Sequence, residues 1–415
     1  MENTSYSSGT VRSATAALAI ATMLTLLSAC ASVRPPTADT LPLGPAELRT
    51  RELAIRVGEI HSACAGEQIA FDDLVARLAA VRIVYLGESH TSMATHRMQL
   101  RIIEGIHAIN PNLVIGMEFF QRSDAAALAD WSAGCLGEEE LLRATGWYAG
   151  GSYNFGYYRP IMEFARDHGL PVVGLNIPRS IVHKVAMAGL DSLSPEEREI
   201  VGEVDVTHTE HRRLIEFYFS GPAAHGPQPG DPDEAAARFE RMYAAQSTWD
   251  AAMAASVRRA MEGFDGIVVV IAGSGHCAYN LGINRRVAER LPLPYATVLA
   301  VDVEPGASAR AVRSLADYLY GIAGDTDPSY YPSLGASLRD SDGRVVVSRV
   351  APGSVAERAG LESGDVVTGI DGRPVADVTD LRIRLAAKGW GDGAELEVRR
   401  GESELTVTLT FERPQ

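Results

Sequence analysis

Compact apolar runs punctuate the chain and predict the strands of a buried sheet. The first is Arg82-Ile83-Val84-Tyr85-Leu86, rich in β-branched residues and followed by a glycine. Comparable runs recur at Leu113 to Met117, Pro171 to Leu175, Gly266 to Ala272 and Tyr295 to Val301. Apolar runs without alternation fit strands covered on both faces. Between them the apolar residues repeat at helical spacing, as in Ser92 to Ala108, and helices are also predicted over Ala46 to Ile60 and Phe71 to Ala79. This alternation predicts an α/β fold, a mostly parallel sheet flanked by helices. From Ser194 to Gly263 the pattern turns helical, broken by a Gly/Pro-rich stretch from Gly221 to Gly230, and predicts a helical insertion that caps the sheet.

The pattern changes again near residue 321. Gly, Asp, Pro and Tyr accumulate without periodicity through residue 332, and short β-type runs follow at Val345 to Val350, Val366 to Ile370, Leu396 to Arg399 and Leu405 to Phe411. The expected organisation is an α/β domain over 46–320 with its core at about 80–300, a linker over 321–332, and a β-rich C-terminal domain over 333–412. No period of solenoid length is visible.

The first residues read as targeting. Arg12 precedes a small and apolar run from Ala14 to Leu27, shorter than the ~20 residues of a spanning helix. It ends in Leu27-Ser28-Ala29-Cys30, which resembles the bacterial lipobox, so residues 1–30 are expected to be a signal peptide and Cys30 the lipidated residue. Residues 31–45, with Val33-Arg34-Pro35-Pro36, form the expected tether. No Asp follows Cys30 in Ala31-Ser32, which implies outer-membrane sorting. The expected location is the bacterial cell envelope, lipid-anchored and facing the periplasm. That compartment is oxidising, which makes Cys64 and Cys135 candidates for a disulfide.

Composition narrows the function classes. The 415 residues allow two or three domains, and 46% hydrophobic with 22% charged residues excludes a disordered chain. Lys plus Arg number 38 against 53 Asp plus Glu, a net charge of −15 that repels phosphate backbones, so no nucleic-acid partner is expected. Four cysteines without a CxxC pair exclude a zinc ribbon.

The candidate chemistry collects at strand ends. Leu86 is followed by Gly87-Glu88-Ser89-His90, Met117 by Glu118, Leu175 by Asn176, and Ala272 by Gly273-Ser274-Gly275-His276. In an open parallel sheet the carboxyl ends of the strands line one crevice, where residues distant in sequence converge. Glycines beside both histidines permit close backbone approach to a ligand. Glu88, His90, Glu118 and His276 suit general acid/base catalysis. By residue type, His90, Glu118 and His276 equally suit a divalent metal such as zinc or manganese. Gly273 to Ala278 also fits a GxGxxA dinucleotide loop with Asp302 as ribose partner, but it closes the α/β domain instead of opening it.

These motifs, together with Glu118-Phe119, Tyr158-Arg159-Pro160-Ile161, Gly174-Leu175-Asn176-Ile177-Pro178-Arg179 and Gln246-Ser247-Thr248-Trp249-Asp250 to Met253-Ala254, resemble the ChaN-like haem-binding uptake lipoproteins over roughly residues 80 to 300. That group is similar to the wider superfamily of TIKI peptidases and erythromycin esterases. The nearer relatives imply haem binding and iron acquisition; the more distant ones imply a hydrolytic or metal site.

The aromatics bear on that choice. Six of them, Trp147, Tyr148, Tyr153, Phe155, Tyr157 and Tyr158, fall within twelve residues, with Gly150, Gly151 and Gly156 between. They could form a flat apolar wall for a porphyrin, and a tyrosinate can ligate ferric haem. The plainer reading is a packed loop over the sheet edge. Tyr157, Tyr158, Arg159, Asn176 and Arg179 are the cofactor-binding candidates, the arginines meeting propionates or carboxylates of the protein itself. His208 and His211 share one helical face, read with Glu210 and Arg212 as solvated. Trp249 and Asp250 read as a core contact beside an exposed or paired carboxylate, and Cys277 as packing.

Residues 333 to 412 resemble a PDZ domain of the bacterial protease-associated type. The signature is Ser333-Leu334-Gly335-Ala336, then Val350 to Gly360, Leu361 to Val367 and Ile370-Asp371-Gly372. The resemblance implies strand addition. Amides at Leu334, Gly335 and Ala336 hold a terminal carboxylate, and a pocket near Leu334 and Leu381 takes the last apolar side chain.

The reading is therefore an envelope lipoprotein that binds haem or iron for uptake or handling, its PDZ domain recruiting peptide C-termini or an envelope protein. The alternative is a metal-dependent or Glu/His hydrolase of peptides or esters, and the third option is a scaffold.

Overall fold

Each apolar run forms a strand, and those at Ile83, Leu113 and Val172 extend at the carboxyl end into the polar residues that follow. In the computed structural model, which describes residues 37–149, 153–220, 231–324 and 330–413, one eight-stranded sheet contains β1 (Ile60–Ser62), β2 (Glu67–Ile69), β3 (Ile83–Glu88), β4 (Leu113–Gln121), β5 (Val172–Asn176), β6 (Ile267–Gly273), β7 (Tyr295–Val303) and β8 (Tyr318–Ala323). The signal segment with Cys30, the prolines Pro35 and Pro36, Gly150, Gly151 and the stretch from Gly221 to Gly230 lie outside the described residues.

The strand order is β2-β1-β8-β7-β3-β6-β4-β5, parallel from β8 to β5 and antiparallel at β1 and β2. Side chains alternate between the two faces. Val84, Leu86, Val269 and Ile271 enter one core, while Ile83, Tyr85, Val268 and Val270 enter the other. Full burial of such side chains stabilises by roughly 1.5–3 kcal/mol each before conformational entropy is counted. Helix α1 (Met93–Ile109), N-capped by Ser92, covers the first face with Met98, Ile102, Ile103 and Ile106. Further along, α2 (Arg159–Asp167), α3 (Thr209–Ser220) and α4 (Pro232–Met261) follow.

Three expectations change. Residues 46–60 are not helical: Glu52–Ile55 is a strand paired antiparallel with Ala309–Val312, because Leu53 and Ile55 turn inward while Glu52 and Ala54 face water, a period of two. Second, α4 is more than a cap. Its later half lays Met253, Ala254 and Val257 directly on the second core. Third, Tyr318–Ala323 belongs to the main sheet, so the first residues assigned to the linker are strand. Cys64, Cys135 and Cys277 are all free, the first two exposed and the third buried, so the Cys64 to Cys135 disulfide does not form here.

The C-terminal domain is a second sheet, with β9 (Ala336–Ser341), β10 (Arg344–Val350), β11 (Val366–Ile370), β12 (Arg373–Pro374), β13 (Gly393–Arg400) and β14 (Ser403–Thr410) in the order β9-β10-β11-β13-β14 and β12 beside β11. Helix α5 (Val378–Ala386) packs near β9, whose other edge has no strand neighbour among the described residues. The two domains touch through α5. Arg143 reaches Asp380 at 2.5 Å, Arg382 donates to the Tyr148 carbonyl at 2.8 Å, and Asn154 donates to the Ala386 carbonyl at 3.1 Å. Tyr331 lies so close to Gly156 that a Cβ there would come within 2.3 Å of its ring.

Candidate functional site

The register of the parallel strands brings the site together. Glu88 at the end of β3 is paired with Gly273 at the end of β6, so the Ser89-His90 turn and the Ser274 to His276 turn leave the sheet side by side. The next strand, β4, places Glu118 beside them. Its carboxylate accepts the Gly273 N–H at 2.7 Å and lies 3.5 Å from His276 Nε2. His90 and His276 face one hollow of about 440 Å³, floored by Glu88 and the Gly273 to Gly275 turn and walled by Ile215 and Tyr218 of α3. A Cβ on Gly273 would lie 2.8 Å from His90 Cε1, so this glycine makes room for the neighbouring imidazole.

Two carboxylate–imidazole groups reach the hollow, through His90 and through His276. In the first, Glu88 is buried and accepts from Tyr158 Oη at 2.7 Å, pairs with His90 Nδ1 at 2.9 Å, and is approached by Gln99 at 3.4 Å and His96 at 3.6 Å. Burial alone would lower the His90 pKa. The hydrogen bond to Glu88 and the charges of Glu118 and Glu88 outweigh it, so the pKa is raised. The carboxylate behind Nδ1 fixes the ring and leaves Nε2 for other partners.

The second group is deeper. His276 Nδ1 meets Asp250 Oδ1 at 2.5 Å, while Nε2 faces Glu118. Against burial, these two charges push His276 up to about 10, and the imidazolium in turn holds Glu118 down to about 2, again against burial. Behind it, Asp250 Oδ2 lies 3.0 Å from His211 Nε2 and 3.6 Å from the buried Arg286 guanidinium. A carboxylate–imidazolium–carboxylate chain thus runs from the hollow into the core.

The other candidates distribute differently. Tyr158 and Tyr157 are buried. Tyr158 spends its hydroxyl on Glu88, and burial followed by the nearby carboxylates raises its pKa well above the ordinary phenol. Arg159 is held by both oxygens of Glu138, at 2.6 and 2.8 Å. Asn176 spends its side chain on the Glu118 carbonyl and the Ile177 N–H, which shapes the strand end. Arg179 is exposed, and its charge acts on Tyr153.

Of the six clustered aromatics, five are buried and only Tyr153 is open, at 39% exposure. The segment is therefore a packed loop with one aromatic at its lip. Tyr153 lies 5.0 Å from the His90 ring at a tilt of 30°, with Phe119 set edge-on to both.

His211 is also not on a solvated face. It is wholly buried against Asp250, while half-buried His208 accepts the His211 N–H and caps the helix. Asp250, Tyr153 and His96 are the site neighbours that pattern reading underweighted. The signal for Asp250 was its place one turn after Gln246, a polar pair within an otherwise apolar helix face. Among the described residues no three His, Cys, Asp or Glu side chains are arranged to hold a metal ion, so the zinc or manganese alternative gains no support.

In the PDZ-like module, Leu334, Gly335 and Ala336 line a groove of about 420 Å³. Leu381 is buried in the module's core, and Leu385, one turn later, takes the place expected for it.

Comparison with known proteins gives two domain matches. A family model described as haem-binding uptake, Tiki superfamily, ChaN, matches residues 74–287, and a PDZ domain model matches residues 332–411. Among curated proteins, the putative serine protease HhoA of Synechocystis sp. is 37% identical over 78 residues, covering 19% of this chain and 20% of that protein. The probable periplasmic serine endoprotease DegP-like of Rhizobium meliloti is 44% identical over 77 residues, 19% of this chain and 15% of that one. The chain thus spans about a fifth or less of these relatives. Among solved structures, ChaN of Campylobacter jejuni with cofacially bound haem aligns at a TM-score of 0.49 and 16% identity, covering 63% of this chain and 95% of that one. The HtrA3 PDZ domain bound to the phage-derived ligand FGRWV aligns at a TM-score of 0.17 and 26% identity, covering 19% of this chain and 82% of that one.

Proposed function

This chain belongs to the haem-binding uptake family of the Tiki superfamily, ChaN, and from that membership we propose that it holds haem as cargo at the lip of the hollow, over His90 and Tyr153, within a cell-envelope uptake or handling step. The observation that supports the placement is the Glu88–His90–Tyr153 group. An imidazole backed by a carboxylate and a half-open phenol stand side by side, beside an aromatic edge from Phe119. Imidazole and phenolate are both donors to haem iron, so the donor set fits the group. Tyr153 is a neutral phenol near neutral pH, its pKa raised by burial and by Glu118 and Glu88; as a ligand it would need the charge of bound ferric iron to ionise. Arg179, whose charge acts on Tyr153, would be a cation for a propionate near this ring.

Titrating the purified full-length protein in detergent with hemin tests the reading. A saturable Soret shift, weakened in both His90→Ala and Tyr153→Phe, supports it, and an unsaturable response identical in all three proteins overturns it. For the envelope placement we rely on Cys30 and its preceding run. Metabolic labelling with palmitate that persists in Cys30→Ser would refute the anchor. The PDZ domain is proposed to recruit a protein partner through its C-terminus.

A second reading draws support from the buried Glu118–His276–Asp250 chain, which resembles the oriented acid/base groups of a hydrolase. In that reading His90 is the general base, Glu118 the orienting group, and Glu88 and His276 support the oxyanion. Turnover of ester or peptide substrates abolished in Glu118→Gln would favour it, and absence of turnover across both classes would remove it.

A further inference from the structure

The peptide groove of the C-terminal module is not walled by that module alone. Leu334, Leu338 and Leu385 line it from the module, and Tyr148, Tyr153 and Asn154 line it from the α/β domain. Thr91, the residue after His90, also opens onto it. The arrangement is pinned by the Arg382 and Asn154 hydrogen bonds between α5 and this segment. The edge of β9 that has no strand neighbour among the described residues carries Ala336 and Leu338, which line the same groove, and it suits an added strand ending in a carboxylate and an apolar side chain.

Tyr153 therefore belongs to two sites at once. One side of its ring lies over His90, 5.0 Å away, and it also lines the groove. Its backbone is fixed by the Trp147 indole, which donates to the Tyr153 carbonyl at 2.9 Å. For haem iron to reach both the His90 imidazole and the Tyr153 hydroxyl, the phenol ring would have to shift from its present place against the imidazole. A side chain packed behind the ring, in the groove, holds it where it is. We propose that a peptide C-terminus seated in the PDZ groove and haem at the His90 hollow antagonise each other through Tyr153. The inference rests on the haem reading above, and it also adds a wall to the peptide site that the isolated module would lack.

The test uses full-length protein and the pentapeptide FGRWV, with a free carboxylate and, as a control, amidated. Binding of fluorescently labelled peptide is followed by anisotropy, and hemin is titrated with and without saturating peptide. The acid peptide should raise the hemin dissociation constant fivefold or more, within the usual range of couplings between linked sites, and the amide should not. By reciprocity hemin should weaken the peptide by the same factor. If hemin fails to bind at all, the haem reading falls. The coupling is then read from the His90 ring resonances by NMR, whose shifts and titration midpoint the acid peptide should move. A peptide that does not bind, a hemin affinity that is unchanged or tightened, or His90 resonances unmoved by bound peptide each overturn the proposal.

Discussion

His276 Nδ1 lies 2.5 Å from the carboxylate of the fully buried Asp250, joining the turn after β6 to the middle of α4. This link ties the hollow to the helix that covers the sheet, and its charge state sets how the protein responds to pH.

The pH dependence has a definite sign. His276 is raised from the usual 6.5 to about 10, so its contribution to stability is complete below pH 6.5 and is lost as pH rises through 10. Glu118 is lowered from 4.5 to about 2, so its contribution is complete above pH 4.5 and is lost as pH falls through 2. Stability from this pair is greatest between pH 4.5 and 6.5. Denaturant unfolding from pH 5.5 to 10 should show a decline in the native protein that is much flatter in His276→Gln. Equal slopes would place the charge elsewhere.

Gly273→Ala should separate fold from ligand binding. The added methyl meets the end of a side chain, the His90 ring at 2.8 Å, so the ring can turn aside at a cost of about 1 kcal/mol, the low end for overpacking. Hemin affinity should fall at least tenfold because His90 leaves its place against Glu88. Retention of full affinity would show that His90 does not contact the ligand.

The tyrosines should behave oppositely. Tyr158→Phe leaves the buried Glu88 short of a donor and should cost about 1–3 kcal/mol of stability while hemin still gives a Soret shift. Tyr153→Phe, at an open position, should leave the melting temperature nearly unchanged while altering the hemin spectrum. Reversal of these two outcomes would make Tyr158 the residue that matters to the ligand.

The contact between the α/β domain and the linker can be probed at Gly156. Alanine there collides with the Tyr331 ring and should destabilise by about 1–3 kcal/mol. Adding Tyr331→Ala should cost less than its effect alone predicts, giving a measurable coupling in a double-mutant cycle of unfolding free energies. Strict additivity would mean the two residues do not meet.

Much of this architecture was legible in the chain. Apolar runs marked five of the six parallel strands, β3 to β7, and their polar successors marked the hollow, because the carboxyl ends of parallel strands all lie at one edge of the sheet. What stayed hidden depends on three-dimensional pairing. Glu52–Ile55 is too short for its period to stand out against a helical background, and β1 and β2 gain their place only from β8. The burial of His211 depends on which face of α3 meets Asp250, which charged neighbours at Glu210 and Arg212 obscured. Tyr157 and Tyr158 looked like a wall because sequence shows aromatic density but not which rings turn inward.

The indoles near the hollow give the protein its own optical gauge. Trp249 sits 6.2 Å from the His276 ring, and Trp147 lies 5.8 Å from Phe119 at a tilt of 44°, Phe119 itself being beside His90. Any strongly absorbing pigment arriving there would darken their emission, so capture and release can be timed in the native protein, with no label attached.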